Sequence, residues 1–259
     1  MKYVVLSFDD GRKNFFTNAL PILQKYKLPA TLNIISDFME KGDLIQLSSY
    51  NGGFVTWEEM EICRNCHIEI ASHSANHTND IPEILRGVEC LRSRLGMRET
   101  IGFASPNSEI GRTNFSKYVP LLTSEKVKYI RSGNQLRRDG LVYAAMYYVY
   151  KFTKWKWAFS LYNRRNIISL KKPEGPIYFP SVNCNNDNSM DQLTAFLKKM
   201  PDKSACIVML HSVLQETDAG YREDKWSNTA SDFEKLCATL AADETICTIT
   251  NAELCEQLQ

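Results

Sequence analysis

Asp9-Asp10 and His73-x-x-x-His77 are the residues of this chain best suited to chemistry. Two adjacent carboxylates end the first apolar run, and two histidines four residues apart follow the third. A catalytic divalent metal takes three protein ligands and keeps a position open for water. The i, i+4 spacing lets two imidazoles converge on one turn, and one carboxylate completes the set. The other carboxylate then stays free beside the metal site as a general base, which points to metal-assisted hydrolysis. The chain has only four histidines. A third, His211, also sits just past an apolar run, where it could protonate a leaving amine or alkoxide.

Positioning these residues requires a scaffold, and the alternation of apolar runs with amphipathic stretches describes one. Strands are predicted at Tyr3–Phe8, Ala30–Ile35, Ile68–Ala71, Ile101–Ala104, Val127–Arg131, Ile177–Pro180, Ala205–Leu210 and Ile246–Ile249. Helices are predicted between them, at Phe16–Tyr26, Trp57–Cys66, Ile81–Leu95, Ser189–Lys199 and Ser227–Ala241. This order predicts an α/β fold with a parallel sheet in one domain. In a parallel α/β barrel, active sites gather at the carboxyl ends of the strands. Asp9, Asp10, His73, Ser105, Pro106, Arg131, Asn183 and His211 all follow or end predicted strands.

Composition sets the outer bounds. Of 259 residues, 44% are hydrophobic and 24% charged, as in an ordinary globular protein. The net charge of +1 excludes a global field for nucleic acid. No signal peptide pattern is visible ahead of the first strand, so the expected address is cytoplasmic. The eight cysteines then read as mostly reduced, buried thiols. Cys63-x-x-Cys66-His67 matches a haem-attachment pattern, but that chemistry needs export, and His67 is read as structural. No Gly-x-Ser-x-Gly elbow offers a nucleophilic serine.

Several of these stretches together resemble the NodB-homology polysaccharide deacetylase family, carbohydrate esterase family 4. They are Leu6-Ser7-Phe8-Asp9-Asp10-Gly11, Leu28-Pro29-Ala30-Thr31-Leu32, His67-Ile68-Glu69-Ile70-Ala71-Ser72-His73 running to His77, and Leu210-His211-Ser212. The resemblance implies a distorted (β/α)7 barrel over residues 1–259, with an aromatic-rich insertion around 135–175. It implies that Asp9 is the catalytic base, Asp10, His73 and His77 the metal ligands, and His211 the general acid. The metal is expected to be Zn2+, with Co2+, Mn2+, Fe2+ and Ni2+ as alternatives. The usual reaction of the family removes acetyl groups from sugars.

The third family motif departs from pattern. Gly102-Phe103-Ala104-Ser105-Pro106-Asn107 lacks the arginine that would orient the base, and Arg131 at the end of the next predicted strand is its expected substitute. Ser105, Pro106 and Asn107 are expected to face substrate, with Asn107 in place of a groove-forming aromatic. The function expected is removal of an N-acyl group, acetyl first, from an amino sugar of a polysaccharide, glycolipid or nucleotide-linked precursor. The alternatives are an O-acetyl esterase, a deformylase on a lipid-linked sugar, and a non-catalytic carbohydrate-binding barrel.

Residues 141–162 stand apart, rich in aromatics and interrupted by Lys151, Lys154 and Lys156. The lysines exclude a comfortable membrane span. An aromatic core or oligomer contact is the expected role. A sugar-stacking wall with Trp155 or Trp157, and a peripheral membrane contact, are the alternatives.

Overall fold

The computed structural model describes residues 1–258 except 42–46, 48–49, 51, 134–139, 174, 177, 186–188, 219–220 and 222. Its strands are β1 (Lys2–Phe8), β2 (Ala30–Ile34), β3 (Ile68–Ser72), β4 (Phe103–Ala104), β5 (Ile130–Arg131), β6 (Ile168–Ser169), β7 (Tyr178–Phe179), β8 (Ser181–Asn183), β9 (Ser204–Leu210), β10 (Ser212–Leu214), β11 (Ser227–Thr229) and β12 (Ile246–Thr248). From β1 the sheet runs parallel through β2, β3, β4 and β5 to β7. Pro180 separates β7 from β8, and β8 pairs in parallel with β9, which in turn pairs with β1. The sheet thus curls back on itself into a nearly closed barrel. Proline has no N–H for a ladder, which suits the point where the chain changes partner.

Alternation along each strand divides the core in two. Val4, Leu6 and Phe8 of β1 point outward into the main apolar cluster, with Leu32, Ile34, Val208 and the surrounding helices. Val5 points inward with Ala71, Tyr129, Phe179, Ala205 and Ile207, and Leu254, Cys255 and Leu258 pack onto this second cluster. The helix Asn251–Glu256, started by a Thr250–Glu253 capping box, therefore plugs the floor of the barrel. Above the apolar floor the inward positions turn polar, with Ser7, Asp9, Thr31, Asn33, His73 and Arg131 all buried.

Local chemistry explains the helices that position the site. Thr56 and Ser189 each close a capping box at the start of Trp57–Asn65 and Met190–Lys198. Pro82 occupies the first turn of Ile81–Arg94, where its missing N–H costs nothing.

Some expectations need correction. The stretch predicted as a helix from Ser227 begins as β11, parallel to β10, and the helix starts at Ala230 behind a Thr229 cap. Phe15–Ala19 is a π-turn ahead of the α-helix Leu20–Tyr26. Only Phe103–Ala104 and Ile130–Arg131 of their longer predicted runs form ladder pairs. Ile177 of a predicted strand, and residues 135–139 and 174 of the expected insertion, lie outside the described residues. Within 141–162 the chain forms two helices, Leu141–Thr153 and Lys156–Asn163, and much of their apolar surface is exposed rather than core. All eight cysteines are free. Among the described residues, no helix is long and apolar enough to cross a membrane.

Candidate active site

The carboxyl end of the barrel brings Asp9, Asp10, His73, His77, Arg131 and His211 together. Asp9 continues β1, and its N–H donates to Leu210 O of the neighbouring strand at 2.9 Å. The chain then turns sharply, because Asp10 has φ +73° and Gly11 +68°. Left-handed backbone at a non-glycine residue is strained and persists only where the surroundings hold it. Ser74 and His77 share that conformation, at +65° each. The loop carrying the histidines is therefore a set of tight turns rather than a helical turn. Its close approach depends on Gly87, where an added Cβ would stand 2.6 Å from the Ser74 carbonyl carbon.

Asp10, His73 and His77 offer three ligand atoms that all lie within 4.8 Å of one another. His73 Nε2 is 3.5 Å and His77 Nε2 3.6 Å from the same Asp10 oxygen, Oδ1. Those separations are long for hydrogen bonds. Tetrahedral ligands held at about 2.1 Å from a shared ion stand about 3.4 Å apart, so the trio fits a divalent metal. His73 Nδ1 is 2.8 Å from Ala104 O, so Nδ1 must carry the proton and Nε2 presents its lone pair. Burial drives the His77 pKa down to about 4 against the raising pull of the Asp10 and Asp9 charges, so its imidazole is neutral near pH 7.

Asp10 is anchored on its other oxygen. Arg12 Nε donates to Oδ2 at 2.9 Å, and Arg12 Nη2 lies 2.8 Å from it. Arg12 Nη1 also donates to Asp224 Oδ2 and to Ser212 Oγ, each at 2.8 Å. Burial pushes the Asp10 carboxyl up, but the Arg12 guanidinium beside it outweighs that and holds the group well below the usual carboxylate range.

Asp9 stands outside the ligand trio. Its Oδ1 accepts from Arg131 Nη2 and from Asn33 Nδ2, the latter at 2.9 Å. Its Oδ2 is 4.0 Å from His211 Nε2. His211 packs against Trp226 with ring centroids 5.0 Å apart. Burial lowers the His211 pKa, and the nearby Asp10 and Asp9 charges only partly offset this.

Ser105, Pro106 and Asn107 form the turn after β4. Ser105 donates to Asn79 Oδ1 at 2.8 Å and accepts from Ile110 N–H at 3.0 Å, so its hydroxyl is engaged within the fold. Pro106 O accepts from Asn79 Nδ2 at 3.0 Å, while Asn107 is exposed with φ +53°. His67 meets Glu253 at 3.0 Å on the surface, away from these groups. Sequence reading missed Arg12, Asn33, Ser212, Asp224 and Trp226. Arg12, directly after Asp-Asp-Gly, and Ser212, inside the Leu210-His211-Ser212 stretch, carried a local signal without a role.

Residues 1–119 match the family model described as polysaccharide deacetylase. The poly-beta-1,6-N-acetyl-D-glucosamine N-deacetylase of Escherichia coli K12 is 34% identical over 84 residues, which cover 29% of this chain and 12% of that protein. The chain thus spans about an eighth of the length of that relative. Two solved structures share the fold at 14% identity and a TM-score of 0.51. The family 4 carbohydrate esterase from Streptomyces lividans, in complex with acetate, matches over 95% of this chain and 91% of its own. The peptidoglycan deacetylase PdaC from Bacillus subtilis matches over 99% and 91%.

Proposed function

We propose that this chain, whose residues 1–119 match the polysaccharide deacetylase family model, is a metal-dependent hydrolase that removes an N-acyl group, acetyl first, from an amino sugar. The sugar would belong to a polysaccharide, a glycolipid or a nucleotide-linked precursor. The domain then runs over residues 1–259, with an insertion around 135–175. One observation carries the reading. Asp9 is a buried carboxylate beside the ligand trio yet outside it, held on one oxygen by Arg131 and Asn33 with the other left toward His211. A sugar-binding barrel has no use for a base, a ligand set and an acid in one cavity.

Asp10, His73 and His77 would hold the ion, and zinc suits their N, N, O donor set, as Co2+, Mn2+, Fe2+ or Ni2+ also would. A divalent ion there supplies Lewis acidity toward the acyl carbonyl and toward water. Asp9 Oδ2 takes the proton of the attacking water, while Arg131 and Asn33 fix the carboxylate by Oδ1. His211, whose Nε2 lies 4.0 Å from Asp9 Oδ2, would hand a proton to the departing amine. Burial leaves less imidazolium there than at a solvated histidine, and the Asp10 and Asp9 charges partly restore it. Ser105, Pro106 and Asn107, on the turn after β4, would border the sugar.

The test is metal content of the purified chain, with deacylation assayed on N-acetyl, N-formyl and O-acetyl sugars before and after chelation. About one ion per chain is expected, with amide cleavage lost on chelation and restored by metal. A chain that takes up no metal even after reconstitution would sink the mechanism. Ester cleavage alone would replace the amide substrate, and bound metal without turnover would favour a binding module.

A further inference from the structure

The two helices Leu141–Thr153 and Lys156–Asn163 form a hairpin that leaves the barrel after β5 and rejoins it at β6. The first helix is apolar on both sides. Tyr143, Met146, Tyr147 and Tyr150 pack against the main core. Leu141, Ala145, Tyr148 and Phe152 recur at helical spacing on the opposite side and face out. Leu141 is 89% exposed and Phe152 77%. At the turn into the second helix Trp155 and Trp157 are more than half exposed, with ring centroids 5.6 Å apart. A helix apolar all round belongs in a core or at a lipid boundary, and an exposed apolar patch of this kind marks an interaction surface.

Charge identifies what the surface meets. Residues 140–172 contain five Lys and two Arg and no Asp or Glu, in a chain of 31 basic and 30 acidic residues. Lys154 and Lys156 alternate with Trp155 and Trp157 at the tip. Beside the second helix, Arg164, Lys171, Lys199 and Lys203, against one acid, Asp202, line a cleft of about 850 Å³. A second copy of the same face would bring like charges together, whereas an anionic bilayer complements them. We propose that this hairpin docks the protein on an anionic lipid bilayer. Phe152, Trp155 and Trp157 enter the boundary between headgroups and acyl chains, and the lysines and arginines meet the lipid phosphates.

The experiment is flotation of the full chain with vesicles of phosphatidylcholine alone, or with about one third phosphatidylglycerol. Binding is expected to the anionic vesicles, weakened by salt, and not to the neutral ones. Lys154→Gln with Lys156→Gln should lower partitioning roughly 30-fold, at about a fivefold effect for each basic residue near an anionic surface. Phe152→Ser, Trp155→Ser and Trp157→Ser together should abolish it. These positions are exposed, and circular dichroism with a retained melting temperature checks the fold. Failure to float with anionic vesicles, or equal flotation of the serine variant, would overturn the proposal. So would a dimer in sedimentation equilibrium that the serine substitutions dissolve, since the covering partner would then be a second copy. None of these readouts depends on catalysis.

Discussion

Arg131, at the end of β5, donates through Nη2 to Asp9 Oδ1, the oxygen that also accepts from Asn33. Both partners are buried, Arg131 fully and Asp9 to 3% exposure. No hydrogen-bond partner of Arg131 Nε or Nη1 occurs among the described residues, so the guanidinium is committed to this carboxylate. Arg131→Met strands a buried charge and should lower unfolding stability by about 3–5 kcal/mol in urea titrations. Asp9→Asn should keep metal and lose about 10²–10⁴-fold in kcat. Full activity of Asp9→Asn would show that the base lies elsewhere.

Asn33 is expected to position Asp9 rather than to touch substrate. Its Nδ2 lies 2.9 Å from Ser7 Oγ, 2.8 Å from Phe8 O and 2.9 Å from Asp9 Oδ1. Asn33→Leu removes these donors at similar volume. A drop of about 10–100-fold in kcat is expected, with KM and metal content unchanged. An altered KM with an unchanged kcat would assign Asn33 to substrate binding instead.

Arg12 ties its neighbour Asp10 to Asp224, which lies 212 residues beyond Arg12 in the sequence. Arg12→Met should weaken metal affinity by about 10–100-fold, because Asp10 loses the partner that orients it. The same variant removes the cation that two buried carboxylates share and should be destabilised by about 3–5 kcal/mol, by comparison with other broken buried pairs. Competition with a metal-sensitive chelator dye and urea unfolding of the metal-free chain separate the two effects.

The metal-free chain should lose stability as pH falls from about 6.5 toward 4. His77 titrates at about 4 in the fold against an ordinary 6.5, so between these values the unfolded chain binds a proton that the native chain refuses. Stability is therefore present above 6.5 and drains away below it, by up to about 3 kcal/mol. His211 is shifted the same way and adds to the slope. Urea midpoints of the wild type and His77→Gln across this range test it, and a slope unchanged in His77→Gln would refute the assignment.

Local patterning accounts for what could be read without a structure. β1, β2, β3 and β9 have five or seven residues each, long enough for their apolar runs to show. β6, β8, β10 and β11 have two or three residues and carry no period. The helix Leu141–Thr153 was not legible as a helix because it lacks a polar side, which is the signal that periodicity depends on.

The site divides along the same line. The motif residues Asp9, Asp10, His73, His77 and His211, and their places after apolar runs, belong to the sequence alone, because strand ends and turn chemistry are local. Their division of labour is tertiary. A strand sends neighbouring side chains to opposite faces, and the left-handed turn at Asp10 lets both carboxylates lie at the same end of the barrel. Arg131 and Asn33 then hold Asp9, while Arg12 holds Asp10 toward the histidines. Asp9 and Arg131 are 122 residues apart, and Arg12 and Asp224 are 212 apart. No periodicity or spacing reports a pairing at that range, because barrel closure creates it.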